Sequence, residues 1–161
     1  MKKFTIQFIL LILVIAGAVF FFQQNLDLSN LPFVPKQSVF KELEINGNKL
    51  KVEVADTQDK RSKGLGGREK LASGEGMLFV FPKQDRYPFW MKGLSFPLDF
   101  IWIRGGEIVD LLHNVQPPAP GQTDASLPIY QSIEEVDKVL EVTGGTVERL
   151  NIKVGDKVEG I

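Results

Sequence analysis

Residues 98–114 read LDFIWIRGGEIVDLLHN, a pattern that indicates the kind of fold. Residues 98–103 are apolar apart from Asp99, which at this length favours a strand covered on both faces over a helix. Gly105-Gly106 supplies the backbone freedom of a tight turn, and residues 107–114 follow as a second strand. The stretch therefore predicts a β-hairpin at the centre of the core.

Hairpin and strand patterns recur on both sides of this stretch. Residues 41–45 and 49–55 alternate polar with apolar side chains around Asn46-Gly47-Asn48, which is typical of a tight hairpin. Residues 77–81 predict another buried strand, 136–142 a further one, and Gly155-Asp156 a turn into the last. Because short strands follow one another along the chain, we expect an antiparallel, mainly β fold, either a sandwich or a partly open barrel.

Helices contribute little to this pattern. Asp56 or Thr57 is suited to cap a short helix that runs to Lys63 and ends at Gly64. A second short helix is expected within residues 143–151. Residues 116–128 contain four prolines and predict an extended surface loop, which is long enough to line a site.

The N-terminus carries a different signal. Lys2 and Lys3 precede an apolar stretch, residues 4–22, whose polar members are Thr5 and Gln7. Its length approaches that of a membrane-spanning helix, and the lysines predict that the chain after it faces away from the cytoplasm. We expect a single-pass anchor in the cell membrane, with secretion after signal cleavage as the alternative.

These patterns divide the chain into three parts. Residues 1–22 form the anchor, residues 23–38 a linker with two prolines, and residues 39–161 the globular domain. The chain after residue 22 contains 17 of the 19 basic residues, because Lys2 and Lys3 lie before it, and it contains all 20 acidic residues. A net charge of −3 without a basic run argues against nucleic acid as a partner.

Composition also excludes several kinds of site. The chain has no cysteine and one histidine, His113, which rules out thiol nucleophiles and histidine or cysteine metal clusters. No motif for nucleotide phosphates or for a serine or zinc hydrolase is present. We therefore expect no metal and no cofactor.

A set of motifs resembles the DUF192 family, also called UPF0127. The motifs are Gly64-Leu65, Arg68, residues 76–81, Phe89-Trp90-Met91-Lys92, Pro97-Leu98-Asp99, Glu141, Gly144-Gly145 and Gly155-Asp156. The resemblance covers the whole globular domain, and one departure is Gly66, where the family commonly has a large apolar residue. It implies a compact, mostly β domain, often exported or membrane-attached, and it transfers no catalytic residue.

The residues themselves nominate a polar cluster around Asp99. Alternation along the strand places Asp99 in an apolar row with Ile101 and Ile103, where an isolated carboxylate is costly. Arg68 and Lys92 are its expected cationic partners. Two interpretations stay open: a buried ion pair or turn cap that holds the strand in place, or a ligand-binding or catalytic group.

An aromatic and thioether group adjoins this cluster. Tyr87, Phe89, Trp90 and Met91 are suited either to core packing or to the wall of a pocket for an apolar or sugar ring. The candidate binding residues are therefore Arg68, Trp90, Met91, Lys92 and Asp99.

Three functions remain open for the domain. The first is a non-enzymatic binding or accessory module of the cell envelope that recognises a small molecule, a glycan or a peptide. The second is a hydrolase or lyase that uses Asp99 with a second carboxylate or with Lys92. The third is a structural module that contacts another envelope protein.

Overall fold

The structure is a computed structural model, and it describes residues 11–21 and 40–161. The chain divides into two compact units, Met1–Gln37 and Ser38–Ile161. Residues 11–21 are helical. Among the described residues, no helix combines the length and the apolar character needed to cross a membrane. The predicted anchor extends on both sides past this helical stretch, and those flanking residues, like the whole of the predicted linker, lie outside the described residues.

The globular unit is β-rich, as the sequence predicts. Its elements in chain order are β1 (Phe40–Ile45), β2 (Asn48–Ala55), α1 (Gln58–Lys63), β3 (Glu75–Asp85), β4 (Leu98–Arg104), β5 (Glu107–Val115), a 3₁₀ turn (Asp124–Ser126), β6 (Val136–Thr143), α2 (Thr146–Arg149) and β7 (Val158–Glu159). The 3₁₀ turn interrupts the predicted proline-rich loop. Otherwise the predicted elements are present near their predicted positions.

The described strands form one sheet in the order β5-β4-β6-β3-β2-β1-β7. A bridge between Glu107 and Lys157 links the chain at its two edges, so the sheet curls as a partly open barrel and is not a two-sheet sandwich. The expectation of a wholly antiparallel sheet is wrong, because β2 and β3 are parallel. The long connection that contains α1 returns the chain to the starting end of β2, so β3 runs in the same direction.

Local turn chemistry fixes both hairpins. Asn46 and Gly47 have φ angles of 53° and 75°, which are the positive values that a two-residue hairpin turn requires. Gly105 and Gly106 do the same between β4 and β5, with φ angles of 57° and 90°. Both predicted hairpins are confirmed, with β1 antiparallel to β2 and β4 antiparallel to β5.

Caps set the limits of α1. The side chain of Thr57 accepts a hydrogen bond from the Lys60 backbone N–H at 3.3 Å and thereby satisfies a free donor of the first turn. Gly64 ends the helix with φ 50° and ψ −141°, a conformation open essentially to glycine alone. Position 64 therefore turns the chain sharply toward the next loop.

Two apolar clusters lie on opposite faces of the sheet. One contains Ile101, Ile103 and Leu140, and the other contains Phe100, Trp102 and Val139. The alternation of side chains along β4 and β6 produces this division. The central strands are thus covered on both faces, as their sequences predict, and the cluster with Phe100 and Trp102 supports the candidate site.

Candidate ligand-binding cleft

A cleft of about 720 Å³ opens on the face that carries Phe100 and Trp102. Three parts of the chain form its sides: α1 with the glycine turn after it, the second half of β3, and the segment from Tyr87 to Leu94. Glu141 of β6, the strand next to β3 in the sheet, also lines it. The size falls in the range usual for clefts that bind small organic molecules.

Glu141 is set among apolar neighbours. Its register partners are Met77 on β3 and Phe100 on β4, and both belong to the surrounding apolar cluster. The residue is only 3% exposed, and its Oε2 atom has no hydrogen-bond partner among the described residues. A buried polar atom without a partner is rare in folded proteins and calls for an explanation.

Burial controls the ionisation of this carboxyl group. Desolvation raises the pKa of Glu141 from its ordinary 4.5 to about 8. The group is therefore predominantly neutral at neutral pH, and it offers both an O–H donor and a carbonyl acceptor. Glu141 can pair with an uncharged polar group or exchange a proton near neutral pH.

Aromatic side chains form much of the cleft wall. Phe79 meets Phe89 edge to face, with 5.1 Å between the ring centroids. Phe81 and Tyr87 stack at 3.5 Å, and the Tyr87 hydroxyl donates to the Lys83 carbonyl oxygen at 2.9 Å. These contacts hold the rings in place before any ligand arrives, which lowers the entropy cost of binding.

Two glycine turns meet at one side of the cleft. The Gly67 N–H donates to the Gly93 carbonyl oxygen at 2.8 Å. A Cβ atom at Gly66 would lie 3.3 Å from the Lys63 carbonyl oxygen and 3.4 Å from that of Lys92. This close approach explains why residue 66 is a glycine in this chain, and the missing side chain leaves the neighbouring part of the cleft open.

Trp90 and Lys92 both line this cleft, so the structure brings two of the sequence-predicted binding residues together. Trp90 is 56% exposed, which is unusual for so large an apolar side chain. The Lys92 ammonium group lies 6.0 Å from the centre of the Trp90 ring and 2.7 Å from Asp124 Oδ2. Asp124 belongs to the proline-rich loop, which thereby reaches the edge of the cleft.

Asp99 lies on the opposite face and has different partners. Its carboxylate accepts hydrogen bonds from the backbone N–H groups of Asn114 (2.7 Å), Gly145 (3.0 Å) and Val147 (2.7 Å). The expected pairing with Arg68 or Lys92 is wrong, because two backbone donors at the start of α2 and one at the end of β5 hydrogen-bond the carboxylate instead. Of the two interpretations left open, this geometry corresponds to a cap that ties β4 to α2 and the end of β5.

The other two predicted residues also lie apart from the cleft lining. Arg68 pairs with Glu53 of β2, with 2.5 Å between Nη2 and Oε2. Met91 is 2% exposed in the apolar cluster and borders a second pocket of about 230 Å³. Residues of the proline-rich loop, together with Tyr130, form the rest of that pocket, so this loop does line a cavity, although not the larger one.

Comparison with known proteins identifies the family. The model of DUF192, described as "Uncharacterized ACR", matches residues 41–160. The chain belongs to the DUF192 family. A protein of known structure from Sinorhizobium meliloti 1021, for which a role as a transcription regulator has been suggested, has 32% sequence identity to this chain. The two structures match with a TM-score of 0.70 over 79% of this chain and 98% of that one. A protein of unknown function from Novosphingobium aromaticivorans DSM 12444 is 30% identical, with a TM-score of 0.66 over 80% and 89% of the two chains. No curated protein matches the chain.

The family motifs now separate into two groups. Asp99, Gly145 and Asp156 hold turns: the Asp156 carboxylate accepts from the Lys153 N–H at 2.8 Å and from the Asn46 side chain at 2.6 Å. Glu141 instead borders the cleft, and the sequence analysis did not select it as a site residue. The sequence signal that could have selected Glu141 is a carboxyl group between two apolar residues of a strand, Leu140 and Val142. Asp99 was selected from the same kind of signal.

Proposed function

We propose that the domain binds a small organic ligand in the cleft. The aromatic walls pack against an apolar part of the ligand, and the neutral Glu141 carboxyl group hydrogen-bonds one of its polar groups. This is the small-molecule form of the binding-module hypothesis. It requires no metal or cofactor.

The observation that carries the proposal is that Glu141 lines an open cleft while its buried Oε2 atom has no hydrogen-bond partner among the described residues. Leaving a buried polar atom unpaired costs stability, about 1–3 kcal/mol. A ligand that supplies the missing hydrogen bond removes this cost. The same reasoning does not apply to Asp99, whose two oxygens already accept three hydrogen bonds.

Tryptophan fluorescence provides a direct test with the full-length chain. The chain has two tryptophans. Trp90 is largely exposed beside the cleft, whereas Trp102 is 2% exposed in the core. A library of small metabolites would be titrated into the wild-type protein and into Trp90→Phe. We expect a true ligand to change the emission of the wild type and not that of Trp90→Phe.

Two substitutions at Glu141 then test the hydrogen bond. Gln keeps the shape and the neutral hydrogen-bonding groups of the protonated acid, whereas Leu removes them. We expect Glu141→Leu to weaken binding at least about tenfold and Glu141→Gln to weaken it less. Equal affinity of the wild type and Glu141→Leu, measured by calorimetry, would refute the role given to this carboxyl group.

A catalytic alternative is favoured by the burial of Glu141 at the cleft, which raises the pKa of its carboxyl group to about 8. A carboxyl group that titrates close to neutral pH is suited to general acid or base catalysis. Asp99 does not serve this alternative, because its oxygens are engaged on the other face of the sheet. Turnover of a bound ligand that is lost in Glu141→Gln, with binding retained, would establish an enzyme.

The location of the domain is part of the proposal. Residues 4–22 are proposed to hold the domain on the outer side of the cell membrane, supported by their apolar sequence and the two preceding lysines. The sequence after residue 22 has a net charge of −3 and no run of basic residues of the kind expected in a nucleic-acid protein, so the role suggested for the Sinorhizobium protein is not transferred. Membrane fractionation and the mass of the mature chain distinguish an anchored protein from a secreted, cleaved one.

A further inference from the structure

The charges around the cleft point to a more specific ligand. Of the cleft residues that the structure describes, Arg61, Lys63, Lys83 and Lys92 are basic, whereas Glu141 alone is acidic. These four basic residues are called the basic rim. They stand out because the chain after residue 22 has a net charge of −3. A concave surface lined by one sign of charge concentrates ligands of the opposite sign.

Two cations of the basic rim have partners that a ligand could replace. Lys83 pairs with Asp85 at 2.8 Å and Lys92 with Asp124 at 2.7 Å. The side chains of both pairs are between 46% and 72% exposed, and exposed ion pairs contribute little stability. An incoming carboxylate or phosphate can therefore exchange with either aspartate at small cost.

Arg61 differs from these lysines because neutral groups hold it. Its Nη1 donates to the carbonyl oxygens of Asp56 and Val80 at 2.9 and 2.8 Å, and its guanidinium group lies 5.4 Å from the centre of the Phe81 ring. Carbonyl oxygens and a ring face orient a guanidinium group without neutralising its charge. Arg61 is thus a fixed positive charge next to an aromatic wall.

The interior of the cleft has the opposite character. Leu65, Phe79, Phe89 and Leu94 are buried apolar residues there, and Glu141 is neutral at neutral pH. An anionic group would lose its hydration among these side chains, whereas at the basic rim it stays partly in water. The cleft therefore favours an apolar ligand body with the charge at its outer end.

We infer that the ligand is an amphipathic anion whose charged end lies at the basic rim and whose apolar body lies between the aromatic walls, with an uncharged polar group at Glu141. This inference rests on the proposed function and specifies its ligand class. A cationic ligand would require Glu141 to ionise and would meet the repulsion of the basic rim. An anion requires neither.

Matched ligand pairs test the charge with the full-length protein. One pair is para-hydroxyphenylpropionate and its primary amide, and others are alkyl carboxylates with a terminal hydroxyl group and their amides. Calorimetry would measure the affinity of each member. We expect the acid to bind roughly tenfold more tightly than its amide, and this preference to shrink as salt is added.

A triple variant tests whether the basic rim causes the preference. Lys63→Gln, Lys83→Gln and Lys92→Gln are combined, and the control combines Lys49→Gln, Lys153→Gln and Lys157→Gln, which change the net charge equally away from the cleft. We expect the preference for the acid to shrink several-fold in the first protein, where Arg61 is the one cation of the basic rim that remains, and to persist in the second. A preference that is undiminished in the first variant, or amides that bind as tightly as acids, overturns the inference.

The two proposals fail in different ways. Amides that bind as tightly as acids, with affinity still dependent on Glu141, leave the cleft a binding site and refute only the anionic ligand. No binding by either member of any pair, and none to lipid, overturns both proposals. An amphipathic anion can also be a lipid, so the binding experiment includes vesicles of phosphatidylglycerol and, for comparison, vesicles of phosphatidylcholine. Binding to the former alone, dependent on the basic rim and on Trp90, identifies a membrane lipid as the source.

Discussion

Replacing Glu141 by glutamine is expected to change how the stability of the protein depends on pH. The folded protein keeps the proton of Glu141 up to about pH 8, whereas the unfolded chain releases it near the ordinary pKa of 4.5. Between these values unfolding releases a proton, so the free energy of unfolding falls as pH rises. The contribution of this group is fully present below pH 4.5 and is lost as pH passes through about 8.

The size of the effect follows from the two pKa values. The interval from 4.5 to about 8 spans roughly three and a half pH units, and each unit corresponds to about 1.4 kcal/mol. The wild type should therefore lose up to about 5 kcal/mol through this group, of which about 3 kcal/mol is already lost near pH 7. Water drawn to the ionised side chain reduces this value, so 5 kcal/mol is an upper limit.

Urea unfolding of the full-length wild type and of Glu141→Gln, between about pH 5 and about pH 9, measures the effect. Glutamine has the same shape and does not titrate, so the two stability curves should diverge in favour of the variant as pH rises. Glu148→Gln, at an exposed glutamate of α2, is the matched control and should follow the wild type. Curves of wild type and Glu141→Gln that stay within about 1 kcal/mol of each other would refute the buried, raised-pKa description of this group.

Three further substitutions probe the framework around the cleft. Asp99→Asn should lower the free energy of unfolding by roughly 3 kcal/mol, because its carboxylate accepts three backbone hydrogen bonds, and the Trp90 ligand response should survive; a large loss of binding without a loss of stability would contradict the cap. Gly76→Ala should lower the free energy of unfolding by about 1–3 kcal/mol, since its Cβ would lie 2.8 Å from the Glu141 carbonyl oxygen. An unchanged urea midpoint would show that β3 and β6 move apart without cost and would contradict this prediction. Thr57→Ala should cost about 1 kcal/mol through loss of the α1 cap, and a thermal midpoint equal to that of the wild type would argue against that cap.

Local sequence chemistry accounts for much of the fold. The turns at Asn46-Gly47 and Gly105-Gly106, a helix cap at Asp56 or Thr57 and the Gly64 stop were all predicted, because each depends on conformational preferences of neighbouring residues. The structure places the cap at Thr57. The family was likewise identified from motifs in the sequence and confirmed by the match over residues 41–160.

Part of the candidate site was also predictable. Trp90 and Lys92 were selected from their residue types, and both line the cleft. The partner of Lys92 was not foreseen, because Asp124 reaches it from a loop distant in sequence. Pairings of this kind depend on where the loops cross the sheet.

Only the tertiary structure decided which buried acid could serve the site. The sequence placed Asp99 in an apolar strand, and Glu141 occupies a similar position in β6. Alternation divides each strand into two faces, but it does not say what covers either face. On one face, N–H groups at the start of α2 hydrogen-bond Asp99. On the other face, the aromatic segment and the glycine turns cover the sheet and leave an open cleft beside Glu141. The connection between the parallel strands β2 and β3 carries α1 and the first glycine turn to the cleft, and such long-range pairing is a property of the packed chain as a whole.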